Sequence, residues 1–222
     1  MIVKIKRCAG ADSEPYWQSF EYEGSPEKTV AALLDELNYT DDLFDIHGNP
    51  APRIQWECSC MQKMCGACAM IINGVPALAC SVFLRDLRGD ELVLEPLSKF
   101  PVVADLIVDR SIIEENLRRA EMYLGEYKGS DKKEYEHSYS VAKCLKCGLC
   151  LEVCPNYSRG QNFFGALFAN DAYLLNSMSV DRKIIIKKQY NEHFAKGCSK
   201  SLSCQKICPI KMPTLSSIMK MN

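Results

Sequence analysis

The sequence predicts two domains of different class, an α+β domain over residues 1–98 followed by an all-α domain over residues 99–222. Three observations predict it. Period-two strand patterns are confined to the first hundred residues, the segment from Pro96 to Pro101 punctuates the chain, and beyond it the apolar residues recur at helical spacing. A chain of 222 residues also exceeds the commonest domain size, and 47% hydrophobic with 25% charged residues suffices to bury a core.

The elements follow in order. Val3 and Ile5 alternate with lysines, and Phe20 and Tyr22 with Ser19 and Glu21, which predicts a hairpin of half-buried strands with residues 8–15 as its loop. Val30, Leu33, Leu34 and Leu37 mark one face of a helix, with Ser25-Pro26 read as N-cap and first helical position. Asn73-Gly74 between Ala69–Ile72 and Val75–Leu78 signals strand, tight turn, strand, and Glu91–Glu95 supplies a last strand. The sum is a small sheet packed on a helix. After Pro101 the spacing predicts helices over Leu106–Leu124, Phe163–Met178 and Asp181–Phe194, with no further strand and an exposed loop over Gly125–Ser138.

Charge and termini narrow the function classes. The net charge of -1 argues against a broad nucleic-acid surface. Its distribution is uneven: residues 1–100 hold 9 Lys and Arg against 15 Asp and Glu, whereas residues 181–222 hold 9 against 2. That basic stretch is either a solvated tail or a surface facing anionic head groups or a membrane partner. MIVKIKRCAG lacks the apolar run of an export signal, and no stretch is apolar for long enough to span a bilayer. Disulfides are therefore not the reading of the thirteen cysteines.

Their spacing supplies another. Cys60, Cys65, Cys68 and Cys80 form C-x4-C-x2-C-x11-C, whose first three positions match the plant-type [2Fe-2S] loop. The small residues Gly66, Ala67 and Ala69 let backbone amides approach the sulfurs. A four-thiolate zinc site is the competing reading, although its usual C-x2-C pairs are absent. Cys144, Cys147, Cys150 and Cys154, followed by Pro155, give C-x2-C-x2-C-x3-C-P, the two-cluster run whose fourth cysteine serves the other cluster. Cys198, Ser201, Cys204 and Cys208-Pro209 repeat it with serine at the second position. Exchange of the last cysteines assigns Cys144, Cys147, Cys150 and Cys208 to a [4Fe-4S] cluster and leaves Cys154, Cys198 and Cys204 for the other. Three thiolates suit [3Fe-4S]; a Ser201 oxygen completing a cubane is the alternative. Cys8 reads as a small buried hydrophobe and Cys58 as a bystander. His47, His137 and His193 have no partner pattern.

Taken together, WECSCMQKMCGACAMIINGVPALAC, CLKCGLCLEVCPNY and GCSKSLSCQKICP, with PYWQSFEYE and FPVVADLIVDR, resemble the iron-sulfur subunits of the succinate dehydrogenase and fumarate reductase family over nearly the whole chain. The resemblance implies a β-grasp, 2Fe-2S ferredoxin-like domain and an α-helical ferredoxin domain. It also implies a flavoprotein partner carrying FAD, where the dicarboxylate chemistry occurs, and a membrane anchor with quinone and in some members haem. Electrons would pass among FAD, [2Fe-2S], [4Fe-4S], [3Fe-4S] and quinone, with no catalytic residue in this chain. The chain would then sit peripherally on the cytoplasmic side of a bacterial or archaeal inner membrane. Where some members have tryptophan and histidine near the quinone, this chain has Arg159 and Ser199. Pro155, Ser199, Lys200 and Ser201 are the candidate quinone-side neighbours. Two other functions remain: a fumarate reductase subunit fed by a thiol or other soluble donor, and a zinc-binding interaction module.

Overall fold

The computed structural model describes residues 1–127, 129 and 132–222. The chain forms two compact units, Met1–Asp109 and Arg110–Asn222.

The first unit is a mixed sheet covered by one helix. Strands β1 (Ile2–Arg7), β2 (Tyr16–Glu21), β3 (Ala69–Ile72), β4 (Val75–Leu78) and β5 (Glu91–Glu95) lie in the order β2-β1-β5-β3-β4. β1 and β2 are antiparallel with Val3 opposite Phe20, while β1 and β5 are parallel, the β-grasp arrangement. Alternation along β1 sends Val3 and Ile5 inward, where they meet Leu92 and Leu94; all four are fully buried. Helix α1 (Val30–Tyr39) lays Val30, Leu33, Leu34 and Leu37 in the core. Asn73 and Gly74 both take positive φ, as a two-residue hairpin turn of this twist demands.

Two expectations fail here for identifiable reasons. The helix is capped by Thr29, whose side chain accepts the Ala32 N–H at 3.2 Å, and not by Ser25. Ser25 instead closes a local turn, and the Pro26 carbonyl accepts Arg85 N–H, so that segment is paired elsewhere. The predicted Leu106–Leu124 helix begins only at Ile112, because β6 (Val102–Ala104) and β7 (Ile107–Val108) form a hairpin. Asp105 in its turn receives the N–H groups of Cys8 and Gln55, both at 2.8 Å, and pairs with the buried Arg7 at 3.0 Å. Tertiary partners thus override the helical period.

The second unit contains α2 (Ile112–Arg119), α3 (Lys132–Ala142), α4 (Leu149–Glu152), α5 (Gly165–Met178), α6 (Lys183–Tyr190), α7 (Ser203–Ile207) and α8 (Thr214–Met221), with one wider π turn over Asn191–Ala195 after α6. α5 is its axis and packs on α3, α4, α6 and α8. Phe164 and Phe168 meet edge to face, and His193 stacks on Phe164 with centroids 4.1 Å apart. The loop expected over Gly125–Ser138 is partly helix α3; Lys128, Ser130 and Asp131 lie outside the described residues. α3 is polar on most of its surface, yet Ser138 and Val141, three residues apart, are buried on one face.

Candidate functional site: three cysteine clusters

In the first unit, the loop before β3 turns three times into left-handed backbone, at Met61 (φ 54), Lys63 (φ 62) and Gly66 (φ 79). Such turns point successive N–H groups to one side, making a concavity for negative charge. Gln62 and Met64 donate N–H bonds to Cys60 Sγ at 3.3 and 3.2 Å, Lys63 to Cys80 Sγ at 3.3 Å and Ala67 to Cys65 Sγ at 3.5 Å. Those two amides pull the Cys60 thiol down to about 7. Cys68 is enclosed, and burial pushes its thiol up to about 12. α1 packs on the turn Ala79–Ser81 that carries Cys80, so the helix fixes the one ligand candidate outside the loop. Cys58 is exposed, and among the described residues no N–H is donated to its sulfur. Cys8 is buried with Sγ 3.0 Å from the Gly10 carbonyl.

The two runs of the second unit share one backbone design 54 residues apart (144 to 198). Each is left-handed two and four residues after its first cysteine, at Lys146 and Gly148 and at Lys200 and Leu202. A short helix follows at once, α4 in the first and α7 in the second, and these two helices pack together. Ser201 occupies in the second run the position Cys147 has in the first. The lysine in each left-handed turn is legible in the aligned runs, CLKCGLC and CSKSLSC, but cysteine spacing alone passes over it.

Two cavities open beside the packed helices. Cys144, Cys147 and Cys150 line the first, and the structure brings Cys208 and Cys204 from the second run to the same cavity. Cys154 from the first run joins Cys198, Ser201 and Cys204 around the second, whose apolar wall includes Phe163 and Phe194. The empty space is about 410 Å³ in the first and about 890 Å³ in the second, part of it open to solvent. Ser199 and Lys200 also border the second cavity; Pro155 is exposed and off its lining.

The donor set is chemically incomplete as thiols. Burial pushes Cys147 up to about 11 and drives Cys150 well above the ordinary thiol range, and neighbouring cysteines add their repulsion. Cys144 and Cys204 are raised by burial too. Four sulfurs facing one enclosed space become thiolates together only around compensating positive charge, which iron supplies. Two cysteine runs that each end in Cys-Pro and converge on neighbouring cavities fit a dicluster site. His193 is stacked in the core, its Nδ1 3.1 Å from the Asn162 carbonyl, and His137 Nε2 lies 3.2 Å from Ser217 Oγ, so neither faces these cavities.

Among the described residues no helix is long and apolar enough to cross a membrane. Residues 2–115 match the model of a 2Fe-2S iron-sulfur cluster binding domain, and residues 140–212 that of a 4Fe-4S dicluster domain. The chain is 30% identical to the succinate dehydrogenase iron-sulfur subunit of Bacillus subtilis, over 98% of this chain and 89% of that one. It is 29% identical to a fumarate reductase iron-sulfur subunit of Escherichia coli, over 89% and 81%. In fold it resembles a chain of the solved Mycobacterium smegmatis Sdh1 complex in the apo form, with a TM-score of 0.76 at 22% identity over 99% of this chain and 92% of that one. With both cluster-binding domains in place and that likeness sustained end to end, the chain belongs to the iron-sulfur subunits of the succinate dehydrogenase and fumarate reductase family and is a component of an oxidoreductase complex.

Proposed function

We propose that this subunit relays electrons between FAD in a flavoprotein partner and quinone at a membrane anchor through three clusters. Cys60, Cys65, Cys68 and Cys80 hold [2Fe-2S]; Cys144, Cys147, Cys150 and Cys208 hold [4Fe-4S]; Cys154, Cys198 and Cys204 hold [3Fe-4S]. The observation that carries this reading is the crossing of the last cysteines, with Cys208 on the wall of the first cavity and Cys154 on that of the second. When bound, each cluster accepts and releases single electrons, with a potential set by its charge, its hydrogen bonds and its exposure.

The chain's own groups do the rest. The amides of Gln62, Lys63, Met64 and Ala67 stabilise thiolate charge in the first unit. Ser199, Lys200 and Ser201 line the second cavity, and in this reading they face the quinone. Membrane docking as a peripheral subunit is supported by α6, where Ile184, 85% exposed, is ringed by Lys183, Lys187 and Lys188.

Purification of the native complex from detergent-solubilised membranes tests the reading. A flavoprotein and an integral membrane protein should accompany the chain, with about nine irons per chain and the electron paramagnetic resonance (EPR) signal of an oxidised three-iron cluster. A colourless chain containing zinc, or one accompanied only by soluble thiol-handling proteins, would overturn it.

A further inference from the structure

The two runs place a lysine at the same left-handed position of each cluster loop, Lys146 and Lys200, but the structure treats the two charges differently. Lys146 Nζ is paired with Asp171 Oδ2, a largely buried carboxylate on α5. Lys200 borders the second cavity, and among the described residues it makes no ion pair.

We propose that Asp171 is a positioning residue that sets the redox balance between the two clusters of the second unit: by binding Lys146 it cancels the positive charge of the first loop, while Lys200 leaves the second loop's charge in force. The inference rests on the ligand assignment above. A positive charge beside a cluster favours its reduced, more negative form, so an uncancelled lysine raises the potential and a cancelled one does not. The pairing therefore holds the four-iron site below the three-iron site, in addition to the difference in thiolate count.

The surroundings agree. Lys146 lies between Cys144 and Cys147 in the loop, and its backbone N–H favours the Cys144 thiolate. Burial raises the Cys144 thiol, and the ammonium of Lys146 and the carboxylate of Asp171 act on it in opposite directions, so both charges are felt at the cluster wall. Asn170, the neighbour of Asp171 on α5, itself lines the first cavity and donates Nδ2–H to Thr214 Oγ1 at 3.1 Å, so this stretch of helix is the back wall of the site.

The test is EPR-monitored redox titration of the intact complex carrying Asp171→Asn, Lys146→Gln, both together, or Lys200→Gln, with iron counted in each. Asp171→Asn uncovers the ammonium and should raise the ratio of reduced to oxidised four-iron cluster at a fixed ambient potential by roughly threefold to tenfold, tenfold being about 59 mV for one electron. Lys146→Gln leaves the carboxylate alone and should lower it by a similar factor, and the double variant should return close to wild type. Lys200→Gln should lower the reduced fraction of the three-iron cluster only. Opposite signs from two partners of one contact cannot arise from loosened packing. Single variants that keep their iron but shift together, or not at all, overturn the inference alone. Loss of the cluster from the double variant as well makes the pair structural and overturns it too. A wild-type complex without a four-iron signal overturns the ligand assignment itself.

Discussion

Ser201 sits in a backbone built for a ligand: the left-handed turns at Lys200 and Leu202 reproduce those around Cys147, and only the side chain differs. Ser201→Cys should therefore need no rearrangement of the loop. It is expected to bring iron from about nine to about ten per chain, to replace the oxidised three-iron signal by that of a reduced cubane, and to lower the ratio of reduced to oxidised cluster at a given potential more than tenfold, read by EPR titration. Quinone-linked turnover should fall while reduction of an artificial acceptor by succinate persists. Arg7, only 2% exposed, carries a different weight. Besides Asp105 it donates to Gln18 Oε1 at 2.9 Å and to the carbonyls of Pro52 and Arg53 at 3.0 and 3.1 Å. Arg7→Met strands the Asp105 carboxylate in the interior and should cost about 3–5 kcal/mol in chemical unfolding followed by fluorescence. The cysteines were legible because ligand spacing is a local property of one loop. Arg7–Asp105 and Lys146–Asp171 were not, because such pairs span sequence separations that no periodicity reports.

At the scale of elements, strands β1 to β5 and the helices α1, α5 and α6 are long enough for their apolar periods to be read. α4 and α7, with four and five residues, are not. Helices that short have almost no stability of their own, since nucleation is unfavourable and few bonds follow. They persist by packing on each other and, in the proposed assembly, through the metal-bound cysteines Cys150 and Cys204 that they carry. Removing iron anaerobically with a chelator should therefore raise amide hydrogen exchange in residues 144–154 and 198–208 by at least tenfold, while the β1–β5 pairing, anchored by fully buried Val3, Ile5, Leu92 and Leu94, stays protected. Equal loss of protection in both places would show that the clusters do not hold these two helices. The β6–β7 hairpin is the complementary case: Leu106, Ile107 and Val108 read as the start of a helix, and only the turn at Asp105, fixed by Cys8 and Gln55, makes this segment a strand pair.

The whole molecule consists of two units, each with its own apolar interior. The change of class between them was visible in the sequence as a change of period. The doubling of the second unit, and the exchange of final cysteines proposed for its halves, were read from cysteine spacing and not from period; Cys208 on the first cavity and Cys154 on the second support that exchange. That trade has a consequence for the order of events during synthesis. A ribosome that has translated the first run has produced three sulfurs of one set and a lone sulfur of the other, and neither set closes until Cys204 and Cys208 have been made. On the ligand assignment proposed above, cofactor insertion in this half of the protein waits for the second run, whereas the first unit has all four of its candidate ligands by residue 80. Nascent chains stalled after residue 197 and fully outside the exit tunnel should take up radioactive iron into the first unit alone, which makes synthesis of the second run a checkpoint on whether the carrier is ever completed.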